Sequence, residues 1–172
     1  MPKVMIDFTR SIKLLINMIT AWRKLTMFGM GARNEMEWEF EGYTINTDKS
    51  LVSVDRVKEF LSDSYWASDR SKELIEKTIM NSFCYVVCHE EELVGFARVV
   101  SDYSTIVWIC DVYIDRNHRG KGLGKKLIEC ILETPEFKNI RSSLVTRDAH
   151  KLYEQFGFES VESRFMTRKA LG

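Results

Sequence analysis

From Met36 onward, hydrophobic and polar residues recur at the periods of strands and helices, which predicts one ordered α/β domain. Residues 37–45 alternate charged with aromatic side chains, and this period of two predicts a first strand with one buried face. Three later apolar runs, separated by polar turns, predict a meander of antiparallel strands at residues 83–89, 93–100 and 105–114. Gly95 lies in mid-strand, a place that suits a bulge or a close approach.

Apolar residues at helical spacing predict four helices, at residues 53–61, 71–80, 125–133 and 148–157. The inner face of the second helix is expected to consist of Leu74, Ile75, Thr78 and Ile79. A strand at residues 141–146 and a last strand within 158–168 complete the order β-α-α-β-β-β-α-β-α-β. The expected fold is therefore α/β, with a mixed, mostly antiparallel central sheet flanked by helices.

The most informative stretch is residues 111–126, where an apolar strand runs into a basic, glycine-rich turn and then into a helix. The three glycines of the turn allow positive φ and leave no Cβ in the way of a ligand. The first amides of the helix have no intrahelical partner and lie at the positive end of its dipole, so they attract an anion. Four cations add to this charge: Arg119, Lys121, Lys125 and Lys126. The pattern favours a pyrophosphate ligand, and the alternative is a turn that binds nothing.

Two other phosphate-binding signatures do not match this turn. The loop of nucleotide triphosphatases requires Ser or Thr after its lysine, whereas Lys125 is followed by Lys126. The dinucleotide fingerprint requires G-x-G-x-x-G, whereas the spacing here is G-x-G-x-G. Neither of these sites is therefore predicted.

Residues 1–35 differ from the rest and are interpreted as a basic amphipathic extension of a domain at residues 36–172. Apolar residues between Ile12 and Trp22 fall on one side of a helix, but interrupting charges make the run too short to span a membrane. No A-x-A-like site marks a secretory signal. Three interpretations stay open: a helix packed on the domain, a helix on a membrane surface, or a segment that folding does not need, which we favour.

The 172 residues contain 25 Lys and Arg and 25 Asp and Glu, so the formal net charge is zero. This balance gives no overall electrostatic support for nucleic acid as a partner. The four cysteines lie in apolar surroundings outside C-x-x-C pairs, and the three histidines are scattered. We therefore expect free thiols, no metal site and a cytoplasmic location, with monomer and homodimer both open.

Two motifs together resemble a known family: R-x-x-G-x-G, from Arg119 to Gly124, and A-x-x-L-Y-x-x-x-G-F, from Ala149 to Phe158. Their order and separation resemble those of the GNAT superfamily of acetyltransferases, and the likeness extends over about residues 38–168. The resemblance implies the GNAT fold and acetyl-coenzyme A (acetyl-CoA) as co-substrate without a metal. It also implies transfer of the acetyl group to a primary amine of a small molecule, or to an exposed amino group, by direct attack on the thioester.

The resemblance further implies roles for individual residues. The coenzyme-binding residues are expected at the end of the strand and in the loop: Val112, Tyr113, Ile114, Arg119, Gly120, Lys121, Gly122, Leu123, Gly124 and Lys125. The Val112 amide is the expected oxyanion donor. Tyr153 is the expected general acid for the departing thiolate, and its alternative is simple packing on an amphipathic helix. Many family members have Asn where this chain has Thr146, so Thr146 receives no role.

Asp111 is the predicted general base, because it is an acid in an otherwise apolar strand beside the expected acyl site. Its alternative is a structural acid at the splayed strand. Some relatives place a glutamate earlier on this strand, where this chain has Trp108, so proton transfer through water is a second alternative.

The acceptor side is expected to include Tyr65 and Trp66, by resemblance, although Trp66 equally fits a plug between two helices. Arg98 and Asp102 are expected to bind a charged acceptor or to form an ordinary surface pair. Two rival functions stay open, a coenzyme sensor without turnover and a membrane-tethered adaptor.

Overall fold

The computed structural model describes residues 35–162 and 165–168. Within them, six strands form one sheet in chain order: β1 (Glu37–Phe40), β2 (Tyr43–Asn46), β3 (Phe83–His89), β4 (Glu92–Ser101), β5 (Val107–Ile114) and β6 (Ser142–Ser143). Neighbours from β1 to β5 are antiparallel, whereas β6 is parallel to β5. The helices are α1 (Val54–Ser62), α2 (Lys72–Met80), α3 (Leu123–Glu133) and α4 (His150–Glu154). The predicted α/β class, with a mixed and mostly antiparallel sheet, is confirmed.

The first strand was predicted wrongly in one respect, because residues 37–45 form the hairpin of β1 and β2 instead of one strand. Its turn is Glu41-Gly42, where both residues have positive φ, of 49° and 82°. Two successive positive φ values suit the right-handed twist of a hairpin, and glycine adopts such a value without steric cost. The Glu-Gly dipeptide is thus the signal that splits the alternating run.

The predicted meander of β3, β4 and β5 is confirmed. Gly95 on β4 pairs with Val87 on one side and Ile114 on the other. A Cβ at Gly95 would lie 2.7 Å from Ile114 Cδ1, which is closer than real Cβ contacts, and 3.0 Å from Val87 Cβ, which is tighter than most of them. The expected close approach at this glycine is therefore present, and it lies beside the end of β5.

Both helices between β2 and β3 begin at a serine cap. Ser53 Oγ accepts from the Arg56 amide, and Ser71 Oγ accepts from the Leu74 amide. Such a cap typically stabilises a helix by about 1 kcal/mol. The predicted inner face of α2 is narrower than expected, because Ile75 and Ile79 are buried one turn apart while Leu74 is 47% exposed.

Helices cover both faces of the sheet. Side chains of β3 alternate between two core clusters, with Tyr85 and Val87 in one and Cys84 and Val86 in the other. The first cluster packs the sheet against α3 and Tyr153 of α4, and the second packs it against α1 and α2. Burial on both faces explains the continuous apolar run of β3 in the sequence.

The C-terminal part departs most from the prediction. The strand expected at residues 141–146 is reduced to the two residues of β6, and α4 is only five residues long. Gly157, expected to end that helix, has φ +78°. The last strand predicted within residues 158–168 is wrong for its described residues, none of which lies in a strand. After Phe158, every described residue of this segment is exposed, including Phe165 at 61% and Met166 at 95%, so these residues lack the buried face that a strand needs.

The interpretations of the N-terminal extension fall on residues 1–34, which lie outside the described part, and they stay predictions. In the described part, every helix is too short or too polar to cross a bilayer. All four cysteines are free, with Cys84 and Cys130 fully buried.

Candidate active-site cleft

A cleft of about 950 Å³ opens where β5 and β6 separate. These parallel strands pair only at Val107 with Ser142 and at Trp108 with Ser143. Beyond that point β5 continues to Ile114, and residues 144–149 form the opposite wall of the cleft. A gap between two parallel strands of one sheet leaves backbone groups facing the opening, where a ligand can bind them.

A bulge turns the middle of β5 towards this cleft. Arg98 on β4 pairs with Cys110 and Phe96 pairs with Tyr113, so Ala97 alone opposes both Asp111 and Val112. A bulge of two residues against one interrupts the ladder and re-aims the backbone. Asp111 adopts φ +51°, a left-handed conformation that aspartate tolerates better than most residues. Asp111 and Val112 both line the cleft.

The glycine loop joins β5 to α3 at one end of the cleft. Gly120 and Gly122 have φ of +80° and +79°, which the tight turn requires. Gly122 is the N-cap residue of α3 and offers no side chain to the amides of the first turn. In contrast, α1 and α2 are capped by serine. The first turn of α3 therefore presents uncapped N–H groups, at the positive end of the helix dipole, beside the cleft.

Gly124 differs from the other two glycines of the loop. It lies inside α3, so the expectation that all three glycines supply positive φ is wrong at this position. A Cβ at Gly124 would meet Leu152 at 3.9 Å and Ile114 at 4.0 Å, which are ordinary contacts. The packing of the described chain therefore does not require glycine here, and the missing Cβ leaves room at the mouth of the cleft.

Two cations of the loop, Arg119 and Lys125, line the cleft. Arg119 Nε donates to the Ile114 carbonyl at 2.9 Å, and its guanidinium lies 5.0 Å from the centre of the Tyr113 ring. Lys121 points elsewhere, since its Nζ donates to the Tyr43 hydroxyl at 2.7 Å and the residue is outside the cleft lining. The structure thus brings together all the predicted coenzyme-binding residues except the side chain of Lys121.

Tyr153 lies on α4 and reaches the cleft from the wall opposite β5. It is 8% exposed, and the Phe158 ring packs against it edge to face at 5.8 Å. Burial raises the pKa of Tyr153 to about 12, with smaller contributions from Tyr65 and Asp148. The phenol is therefore a proton donor throughout the neutral pH range.

The Asp111 carboxylate is fully enclosed, with a side chain only 2% exposed. Its Oδ2 accepts from Arg98 Nε at 2.5 Å and from Arg70 Nη1 at 2.7 Å. Its Oδ1 accepts from the indole N–H of Trp66 at 3.2 Å. These contacts join β5 to β4 and to the connection between α1 and α2, and they match the alternative of a structural acid at the splayed strand.

The expected pairing of Arg98 with Asp102 is wrong. Arg98 is 9% exposed and pairs with Asp111, and its Nη1 donates to Ser82 Oγ at 3.2 Å. Asp102 instead accepts from the backbone N–H groups of the turn that follows it, at residues 104–106. Hydrogen bonds from Thr105 and its neighbours hold the pKa of Asp102 well below its usual range. A side chain that points inward from β4 cannot meet a residue in the exposed turn.

Tyr65 and Trp66 line the cleft from the connection between α1 and α2. The Tyr65 hydroxyl accepts from the Arg147 amide at 2.8 Å, and the Arg147 guanidinium stacks 3.8 Å from the centre of its ring. Tyr65 therefore bridges the cleft to the loop before α4. Trp66 is 39% exposed, and it is the neighbouring Ala67, 1% exposed, that fills the helix interface. The alternative of Trp66 as a plug does not fit this exposure.

Arg70 and Arg147 are among the cleft residues that sequence reasoning missed. Both lie in irregular segments, where no periodicity marks a side chain that points inward. Thr146, which received no role, also lines the cleft, and its Oγ1 accepts from the Ala149 amide at the start of α4.

Comparison with known protein families identifies the family of the chain. The model of the acetyltransferase (GNAT) family matches residues 50–158, from before α1 to the end of the Tyr153 motif. The chain belongs to the GNAT acetyltransferase family. The predicted family and the predicted enzyme class, an acyltransferase of the N-acetyltransferase type, are thereby confirmed.

Two solved GNAT structures match about three quarters of this chain, and a curated relative matches a shorter part of it. A GNAT-family structure from Xanthomonas campestris pv. campestris is 33% identical with a TM-score of 0.72, over 77% of this chain and 96% of that one. A GNAT acetyltransferase from Elizabethkingia anophelis with acetyl-CoA bound shares the fold at 17% identity and a TM-score of 0.56, over 72% of this chain and 80% of that one. The spermine/spermidine N(1)-acetyltransferase of Bacillus subtilis is 33% identical over 84 residues, which are 41% of this chain and 55% of that protein.

Proposed function

We propose that the cleft binds acetyl-CoA and that the protein transfers its acetyl group to a primary amine by direct attack of the amine on the thioester. The observation that carries this proposal is the uncapped N-terminus of α3, which follows two left-handed glycines and lies at the mouth of the cleft. Converging N–H groups, with Arg119 and Lys125 beside them, match the charge and shape of a pyrophosphate. The space left by Gly124 allows the phosphates to approach the backbone closely.

The bulge in β5 supports the placement of the acyl end. Val112 has no register partner on β4, and it lines the cleft between the glycine loop and Asp111. A backbone N–H in this position would donate to the thioester carbonyl as negative charge develops on its oxygen. The adjoining backbone of Tyr113 and Ile114 would hold the pantetheine arm. Fixed amide donors of this kind need no rearrangement during the reaction.

Tyr153 would protonate the departing thiolate. Its phenol is buried beside the cleft and carries its proton at neutral pH, because burial raises its pKa to about 12. The alternative of simple packing accounts for the burial of the ring and for its contact with Phe158. It does not account for the position of the residue in the lining, across the cleft from the β5 bulge.

Proton removal from the amine is assigned to water, with Asp111 as a positioning residue. Two guanidinium groups and one indole N–H already engage the Asp111 carboxylate, which is turned away from solvent. A general base must reach the proton that it abstracts, directly or through one water molecule. Asp111 fixes Arg70, Arg98 and Trp66 instead, and so shapes the wall that the acceptor meets.

The test is steady-state release of free thiol from acetyl-CoA by the full chain, measured with a panel of primary amines. We expect turnover that depends on an amine and acetylated product that equals the thiol released. Tight coenzyme binding without turnover for any amine would support the rival sensor function. Thiol release at the same rate without an amine would show hydrolysis instead of transfer.

A further inference from the structure

The wall of the cleft carries more positively than negatively charged side chains. Among the described residues that line it, six are cations and three are acids; the cations are Arg70, Arg98, Arg116, Arg119, Arg147 and Lys125, and the acids are Asp63, Asp111 and Asp148. Each acid already faces an arginine, since Asp63 pairs with Arg116, Asp111 with Arg98 and Arg70, and Asp148 with Arg147. Every lining acid in the described part of the chain thus has an arginine within 4 Å, and only the pair of Asp148 and Arg147 has both side chains more than 60% exposed.

The surplus of positive charge continues beyond the pyrophosphate loop. Arg119 and Lys125 lie at the glycine loop, where the coenzyme phosphates would neutralise them. Arg70 and Arg98 lie instead at the β5 bulge, and they share the single carboxylate of Asp111. Counted over the residues that the structure describes, this part of the cleft wall therefore keeps one uncompensated positive charge.

Arg70 is the residue best placed to offer that charge to a ligand. It lines the cleft, and its side chain is 23% exposed, against 11% for Arg98. Only its Nη1 is used for Asp111 within the described contacts, so the rest of the guanidinium remains available for a second partner. A guanidinium anchored on one side by a buried carboxylate is fixed in direction, and its planar fork suits a second carboxylate.

Arg147 provides a second cation, on the wall of the cleft that residues 144–149 form. It stacks on Tyr65, whose ring meets the Trp66 ring at 4.9 Å, and Trp66 shares Asp111 with Arg70. The two arginines thus flank a pair of exposed aromatic rings. Aromatic rings between two cations would accept the apolar part of a small molecule that also carries an anionic group.

We propose that the amine acceptor carries a carboxylate, bound by Arg70 with Arg147 beside it, as in an amino acid. This inference rests on the proposed acetyl transfer and narrows its substrate class. It also separates this protein from its Bacillus subtilis relative, which is named for spermine and spermidine. A polyamine would bring further positive charge to a wall whose described acids are already paired.

The test compares acceptors that differ only in the anionic group. Thiol release from acetyl-CoA is measured with leucine, phenylalanine and methionine, each against its carboxamide and its decarboxylated amine. O-phosphoethanolamine is compared with ethanolamine, and spermidine is included. Because the amines differ in basicity, kcat/KM is expressed per unprotonated amine. We expect each amino acid to exceed its carboxamide by about tenfold or more, as a charge-assisted hydrogen bond would give.

A matched pair of variants assigns the preference to Arg70. Arg70→Gln should bring the ratio of acid to carboxamide towards one, mainly through a higher KM for the acid. Lys72→Gln removes the same charge two residues away, where Lys72 is 54% exposed and paired with Asp55, and should keep the ratio. Thermal unfolding of each variant checks that it folds, and Arg147→Gln provides a second measurement should Arg70→Gln unfold.

The outcomes separate this inference from the proposed function. Equal or better rates with carboxamides or spermidine would overturn the carboxylate while leaving acetyl transfer intact. A preference for O-phosphoethanolamine over every amino acid would overturn it in favour of a phosphate. Should no amine react, calorimetry of the coenzyme-loaded protein with N-acetyl-leucine and N-acetyl-leucinamide still decides, because equal affinities would overturn the inference.

Discussion

At the residue scale, a substitution at Tyr153 distinguishes a catalytic role from a packing role. Tyr153→Phe removes the hydroxyl and keeps the ring against Phe158. If the phenol protonates the thiolate, kcat should fall about a hundredfold, while the dissociation constant for coenzyme A changes little. Stopped-flow turnover and calorimetry measure the two quantities. Equal losses in both would identify a packing residue instead.

The pH dependence of turnover tests the same assignment without a mutation. Because burial raises the pKa of Tyr153 to about 12, the phenol keeps its proton as the pH rises from 7 to 10. The value of kcat/KM should therefore rise with pH as the acceptor amine loses its proton, and then level off. A fall in kcat with an apparent pKa between 8 and 9 would show that the group that protonates the thiolate loses its proton there, and would contradict its assignment to a phenol with a pKa of about 12.

Gly122 and Gly42 provide a matched pair of glycines. Both adopt φ near +80°, but Gly122 begins α3 at the cleft and Gly42 lies in the hairpin turn of β1 and β2. Valine strains the backbone at either place by about 1–2 kcal/mol. Only Gly122→Val should also weaken coenzyme A binding, by about fiftyfold or more, since a side chain there would meet the Phe40 ring at 3.4 Å and displace the turn that presents the N–H groups of α3.

Calorimetry on both glycine variants measures this difference, and their thermal midpoints report the shared strain. Normal coenzyme affinity in Gly122→Val would remove the loop from the binding site. A similar loss of affinity in Gly42→Val would show that the strain acts through the fold.

At the scale of elements, the contacts of Asp111 with Arg98, Arg70 and Trp66 hold the β5 bulge against β4 and against the connection between α1 and α2. Asp111→Asn would leave Arg98 and Arg70 without a carboxylate and should lower the free energy of unfolding by about 3 kcal/mol, as for other buried ion pairs. Urea unfolding measures this change. Asp55→Asn, which breaks the exposed pair with Lys72, is the control and should leave the midpoint unchanged.

The activity of Asp111→Asn tests whether Asp111 is a positioning residue or the general base. A positioning residue should change the KM for the acceptor together with stability. A pure loss of kcat, at full stability and with an altered pH profile, would restore Asp111 as the general base.

The elements that sequence reasoning placed well are those with local signals. The meander, the serine-capped helices and the glycine loop all follow from periodicity and from residue types within a few positions. The hairpin of β1 and β2 had a local signal, Glu41-Gly42, that the alternating pattern concealed. The length of β6 had none, because its two residues are fixed by pairing with β5.

The residues of the candidate site also fall into two groups, those with a local sequence signal and those without one. The loop residues lie next to one another in sequence, so the motif located them together. Arg70 and Trp66 reach Asp111 across 41 and 45 residues of chain, and Tyr65 reaches Arg147 across 82. Such contacts depend on how α1 and α2 pack on the sheet, and no local pattern reports them.

At the scale of the whole molecule, one sheet with helices on both faces leaves a cleft where its only parallel strand pair within the described residues separates. The same gap exposes the bulged backbone of β5, the uncapped turn of α3 and the buried phenol of Tyr153 to one cavity. The fold therefore opens the proposed phosphate site, the proposed carbonyl site and the proposed proton donor to the same cleft.

The most direct test of this account is calorimetric titration of the full chain with coenzyme A and, separately, with pantetheine, which lacks the pyrophosphate. Coenzyme A should bind at least about a hundredfold more tightly, because only coenzyme A reaches the N–H groups at the start of α3 and the cations beside them. Equal affinities for the two compounds, or no heat with coenzyme A, would contradict it.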